Sequence, residues 1–236
     1  MTFHTTRWTL VRHATGHSIE GRQALSELCA AYYEPVVAFL RREGRDDDAA
    51  RELGHEFFHQ VLENPSLGGA SQGLGRFRTY LLGALKHFLI HERERAGRQK
   101  RGGGVISVSL DAGTDTTPGV VLADHHELPP DAFFDRQWAL AVLERAFDAL
   151  ARERVAAGKA EDFSLLKPWL TGDAAHGDQA ATARALGMSE GALKVAVHRL
   201  RRRFRELLKA EIAQTLDSPE VMEEEMRHLF AALGGS

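Results

Sequence analysis

Apolar positions recur three and four residues apart over most of this chain, the periodicity of amphipathic helices. Over residues 23–42 the stripe is Leu25, Leu28, Cys29, Tyr32, Val36 and Leu40, and Gly44 ends it. Asp46-Asp47-Asp48 then suits a new helix N-terminus, where carboxylates meet the positive end of the helix dipole. That second helix, about 49–63, offers Leu53, Phe57, Phe58 and Val61 and stops before Asn64-Pro65. A third, about 75–98, carries Phe77, Tyr80, Leu81, Ala84, Leu85 and Phe88. Leu82 and Ile90 lie on its other side, so most of its circumference is expected to be covered. The three predict one helical bundle.

The pattern fails from Gly102 to about Pro130, where GGG, ISVSL, DAGTDTTPG and HHELPP give no sustained amphipathic face. So long a stretch without periodicity reads as a linker between domains, with Val105–Leu110 able to form a short strand or dock along a groove. Helices resume at 131–157 (Phe134, Trp138, Val142, Phe147, Leu150) and at 162–170. Ser218-Pro219 announces a last helix bearing Met222, Met226, Leu229, Phe230 and Leu233. The expected fold is all-α: a helical domain over 1–101, a linker over 102–130, a second helical domain over 131–216, and an acidic helical extension over 217–236.

The second domain contains DQAATARALGMSEGALKVAVHRLRRRFRELL (178–208), which reads as two helices joined by a turn at Gly187-Met188-Ser189. Ala183, Gly187 and Leu193 supply the small residue, turn glycine and buried aliphatic of a helix-turn-helix, and Ser189 can cap the second helix. Leu193, Val197, Leu200, Phe204 and Leu207 form its apolar stripe. At about 100° per residue, Lys194, Val195, His198 and Arg202 then project from the opposite face. This is the form of a recognition helix, its first turns reading bases and its later arginines, Arg199 and Arg202, holding phosphates.

Charge sharpens this picture. The net charge is −3, so the whole protein is not a basic coat for nucleic acid. Residues 194–209 nevertheless hold seven Lys or Arg against one Glu, and residues 86–101 hold six against two. Residues 210–236 hold six acids and one Arg, and such asymmetry fits localised phosphate contacts. The acidic tail either completes the C-terminal core or folds back, its carboxylates competing with phosphates for Arg199, Arg202 and Arg203. Cys29 is the only cysteine, which leaves no disulfide framework or thiolate metal cluster and suits a small buried hydrophobe. No apolar run approaches a membrane span and MTFHTTRWTLV lacks a signal-peptide core, so a cytoplasmic protein is expected.

One motif points elsewhere. His55-Glu56-Phe57-Phe58-His59 matches H-E-x-x-H, in which two histidines bind zinc and the Glu activates water. A zinc hydrolase would also need a third ligand and a sheet to shape its cleft. No third-ligand motif follows, Phe57 and Phe58 suit a packed helix, and His125-His126 reads as solvated. No metal, cofactor or catalytic residue is expected.

Two runs carry a resemblance. LCAAYYEPVVAFLRREGRDDDAARELGHEFFHQVLEN, followed by GRFRTYLLGALKHFLIHERERAGRQKR, is similar to the second region of bacterial sigma factors, and ATARALGMSEGALKVAVHRLRRRFRELL is similar to their fourth. Their order and separation resemble the extracytoplasmic-function branch of the sigma-70 family. The resemblance covers about residues 23–101 and 132–209; the TTRWTLV segment, long linker and acidic tail are additions to the minimal pattern. It implies a non-enzymatic factor that binds core RNA polymerase and directs promoter recognition and melting during transcription initiation. It places polymerase docking on Glu52, His55, Glu56 and Phe57, with His55 where the family has an amide and Arg51 where it has an acid. It places −10 contacts on Lys86, His87, His91, Arg93 and Arg95, with His87 and His91 in place of the family's Asn and Asp. It places −35 reading on Ser189, Lys194, Val195, His198, Arg199 and Arg202. Core RNA polymerase and promoter DNA are the implied partners, with an anti-sigma factor or other regulator as a further one and no membrane. The alternative is a stand-alone helix-turn-helix regulator, although the N-terminal bundle carries no pocket motif or heptads.

Overall fold

The computed structural model describes residues 7–13, 19–63, 76–101, 128–171, 178–216 and 218–234. The protein is all-α. Its helices are α1 (Arg7–His13), α2 (Ile19–Arg42), α3 (Asp47–Glu63), α4 (Phe77–Arg101), α5 (Pro130–Ala156), α6 (Ala160–Leu166), α7 (Pro168–Thr171), α8 (Asp178–Ala185), α9 (Glu190–Ala213) and α10 (Met222–Gly234). A 3₁₀ turn at Pro219–Val221 leads into α10. The loop 64–75, the segment Val105–Leu110 and His125-His126 lie outside the described residues.

Local chemistry sets the helix ends. Gly44, at φ 85°, turns the chain out of α2 through the left-handed region that a side chain disfavours. Arg45 N donates to Leu40 O across that turn, and Asp46 Oδ1 then caps α3 by accepting from Ala49 N at 2.8 Å. Ser218 does the same before α10, its Oγ accepting from Glu220 N. Inside α2, Pro35 lacks the N–H that would bond the carbonyl of Ala31, four residues back. Arg145 of α5 fills that gap: its Nη1 donates to Ala31 O at 2.6 Å while its Nε meets Glu211 of α9 at 3.3 Å. The carbonyl that the proline leaves unpaired thereby joins α2 to α5 and, through Arg145, to α9.

The larger core joins Trp8 of α1 to the inner faces of α2, α3 and α4, to Phe134, Trp138 and Val142 of α5, to Leu208 and Ile212 of α9, and to Met226 and Leu229 of α10. Residues from both sides of the 102–130 segment share it. A smaller core gathers Leu150, Phe163, Leu166, Ala183, Leu193, Val197 and Leu200 around the helix-turn-helix. Phe204 and Leu207 touch both. Cys29 is buried as expected, and desolvation pushes its thiol up to about 12. Ile90 departs from expectation: it is 52% exposed, because Phe88 and Leu89 take up the inward positions of that turn.

Charged groups tie α4, α5 and α10 together. Glu225 is 1% exposed and receives Arg76 Nε at 3.3 Å and Arg78 Nη2 at 3.2 Å. Arg78 also pairs with Asp135, and its guanidinium lies 4.4 Å from the centre of the Trp138 ring. Glu224 meets Arg76 at 2.6 Å, which holds its carboxyl below the usual range, and Glu223 meets Lys209 at 2.6 Å. The acidic tail thus completes the core, and these carboxylates engage Arg76, Arg78 and Lys209 rather than Arg199, Arg202 and Arg203.

Backbone pairing closes the same region. Beyond α9 the chain accepts hydrogen bonds from Trp8 N at Gln214 O and from Phe77 N at Thr215 O, both 3.1 Å. Arg76 and Leu216 form an isolated antiparallel bridge there.

Candidate nucleic-acid interface

The element expected to read DNA is α8, a turn, and α9. Gly187 holds φ 64°; its N–H donates to Arg184 O and that of Met188 to Ala183 O, closing the end of α8. Ser189, extended at ψ 157°, caps α9 with its Oγ 3.2 Å from Ala192 N. Leu193, Val197 and Leu200 are buried, so the opposite face turns outward. Lys194, Val195, His198, Arg199 and Arg202 all lie on it, and all are exposed. The geometry therefore brings the six residues expected to read DNA onto one end and one face of a single helix.

The cations of α9 divide by what already holds them. Arg201 donates from Nε and Nη2 to Trp169 O, at 3.1 and 2.7 Å, and so braces α7. Arg203 forks onto Glu153 of α5 at 2.9 and 2.6 Å and also meets Glu206. That fork holds the Glu153 carboxyl below the usual range and pushes the Arg203 guanidinium up. Arg202 meets Glu206 at 3.5 Å while its side chain stays 75% exposed. Among the described residues Lys194, His198, Arg199 and Arg205 have no intramolecular ion-pair partner. These unpaired side chains run along α9 from Lys194 in its second turn to Arg205 in its fifth.

The second group of expected site residues is differently placed. Lys86 Nζ pairs with Asp131 at 2.6 Å, Arg93 with Glu43 at 2.6 Å, and Arg95 with Glu56 at 3.3 Å. His87 and His91 face each other, Nε2 to Nε2, at 3.3 Å. On α3, Glu52 and His55 are exposed; the His55 ring stacks on Tyr33, whose hydroxyl is 2.9 Å from Nε2. Phe57 is 1% exposed and packs on Phe58 and Phe88, so it supports the face from beneath and offers no surface.

For the H-E-x-x-H motif, His59 faces Glu63 at 3.4 Å while His55 faces Tyr33. Among the described residues no group of three His, Cys, Asp or Glu side chains could hold a metal ion. Nor is any described helix long and apolar enough to cross a membrane.

Sequence reasoning missed α1, whose Trp8 is buried against Phe77 and Tyr80. Its signal was Trp8 itself, a large apolar residue in a segment too short to show periodicity. Comparison with protein-family models, curated proteins and solved structures yields no match.

Proposed function

We propose that this protein is a sigma-like transcription initiation factor: α9 reads a duplex promoter element while α3 and α4 meet core RNA polymerase and the element that melts. The observation that carries the reading is the face of α9, where Lys194, His198 and Arg199 lie in the second and third turns, exposed and without ion-pair partners among the described residues. An exposed cation with no internal partner is free to displace counterions from phosphate, and side chains in the first turns of such a helix reach base edges. The resemblance of residues 23–101 and 132–209 to sigma regions adds polymerase docking at Glu52, His55 and Glu56. The polymerase would perform the chemistry.

A second reading, a stand-alone helix-turn-helix regulator, draws on the internal pairing of Lys86, Arg93 and Arg95, whose charge is already matched within the chain. One experiment separates the two. The full chain is mixed with bacterial core RNA polymerase, and co-elution and run-off transcription are measured. A sigma-like factor gives both. Site-specific duplex binding with neither overturns the initiation role and leaves the regulator.

A further inference from the structure

The reading face of α9 is not uniformly charged. Val195 is 49% exposed among Lys194, His198, Arg199 and Arg202, and one turn earlier the same face shows Gly191 and Ala192, also exposed. The fold does not require a glycine at 191. Its φ is helical, and an added Cβ would meet only Ser189 Oγ, at 3.9 Å. Glycine is a poor helix residue, so the fold alone would favour a side chain there. A bare first turn followed by one branched apolar side chain makes a low apolar footing edged by Lys194, Arg199 and Arg202. A base edge carries only one apolar group in the major groove, the 5-methyl of thymine.

We propose that Gly191 lets α9 approach the floor of the major groove closely, and that Val195 there reads a thymine methyl. This deepens the proposed function and rests on its duplex-reading step. The occupant is B-form DNA with thymine at the position facing Val195, and the cations around it bind phosphates on either side.

The test starts from duplexes enriched out of a random pool by the full chain at low ionic strength. Each thymine of the enriched sequence is then replaced singly by deoxyuridine, which lacks only the methyl. One replacement should weaken wild-type binding about fourfold, the effect of losing one buried methyl, and should have no effect on Val195→Ala. Gly191→Ala should raise thermal stability yet weaken binding to every sequence. If deoxyuridine affects neither protein, or both equally, Val195 does not read the methyl. Unchanged binding by Gly191→Ala overturns the close approach. Enrichment of no sequence beyond that given by a Lys194→Ala/His198→Ala/Arg202→Ala variant overturns duplex reading itself, and this inference with it.

Discussion

Oε1 of Glu56 and Nη1 of Arg95 stand 3.3 Å apart, joining the acidic face of α3 to the basic end of α4. In the proposed reading Glu56 meets polymerase and Arg95 meets DNA, so each partner would compete with the other's residue. Glu52→Lys/Glu56→Lys should abolish co-elution with core polymerase. The pair is partly exposed, so the unfolding free energy should change by less than about 1 kcal/mol. Retained co-elution in a folded double variant would remove α3 from the docking surface.

The free and the engaged arginines of α9 should separate in a salt titration of DNA binding. Arg199→Ala should lower the slope of log K against log salt by about one, as expected for one lost phosphate contact. Arg203→Ala should leave the slope unchanged, because Glu153 and Glu206 already hold that guanidinium. Equal slopes for the two variants would show that the division of charge on α9 does not govern binding.

Glu225→Ala should destabilise the protein by about 3 kcal/mol, the low end for breaking a buried ion pair, since Arg76 and Arg78 keep Glu224 and Asp135. Urea melts of the variant measure this. Deleting 217–236 also takes Met226 and Leu229 from the core, so it should lower stability further and leave low-salt DNA binding unchanged or weaker. Tighter binding with an intact fold would restore autoinhibition by the tail.

Alkaline pH should weaken the fold. Burial raises Cys29 from 9.0 to about 12 and Tyr80 from 10.0 to about 12. Well below pH 9 both groups are protonated in the folded and unfolded states. Between pH 9 and 12 the unfolded chain releases these protons first, so stability falls across that window. Denaturant midpoints at pH 8, 10 and 11 should decline in that order, and Cys29→Ser should flatten part of the decline. At pH 8 a thiol reagent should modify Cys29 only as fast as the chain opens.

The elements that show in the sequence are those whose determinants are local. The stripe from Leu193 to Leu207 gave α9, Ser189 its cap and Gly187 its turn, all within one short segment. Gly44 and Asp46 likewise mark the end of α2 and the start of α3. Contacts between distant segments left no such trace. Arg78 and Glu225 are 147 residues apart in sequence, and neither belongs to an apolar stripe. The pairing of Lys86 with Asp131 and of Arg93 with Glu43 was equally hidden, because residue type gives charge but not neighbour. For the site, the sequence placed Lys194, Val195, His198 and Arg202 on one face of α9, but could not tell that Glu153 holds Arg203 while Arg199 has no ion-pair partner among the described residues.

The hydrogen bonds that Trp8 and Phe77 make to Gln214 and Thr215 have a mechanical consequence. They fasten the rear of α9, a helix of 24 residues whose other half, toward the cap, carries Lys194 and His198. At 1.5 Å per residue that is a rod of about 36 Å, whose front half is packed into the smaller core with Leu150, Phe163 and Ala183. A tilt of about 10° of the rod, carrying the smaller core with it, would sweep the tip about 6 Å, close to two base-pair steps along a duplex. In the proposed reading, a change in the packing around Leu216 and Arg76 would therefore act on the DNA-facing end without touching the nucleic acid.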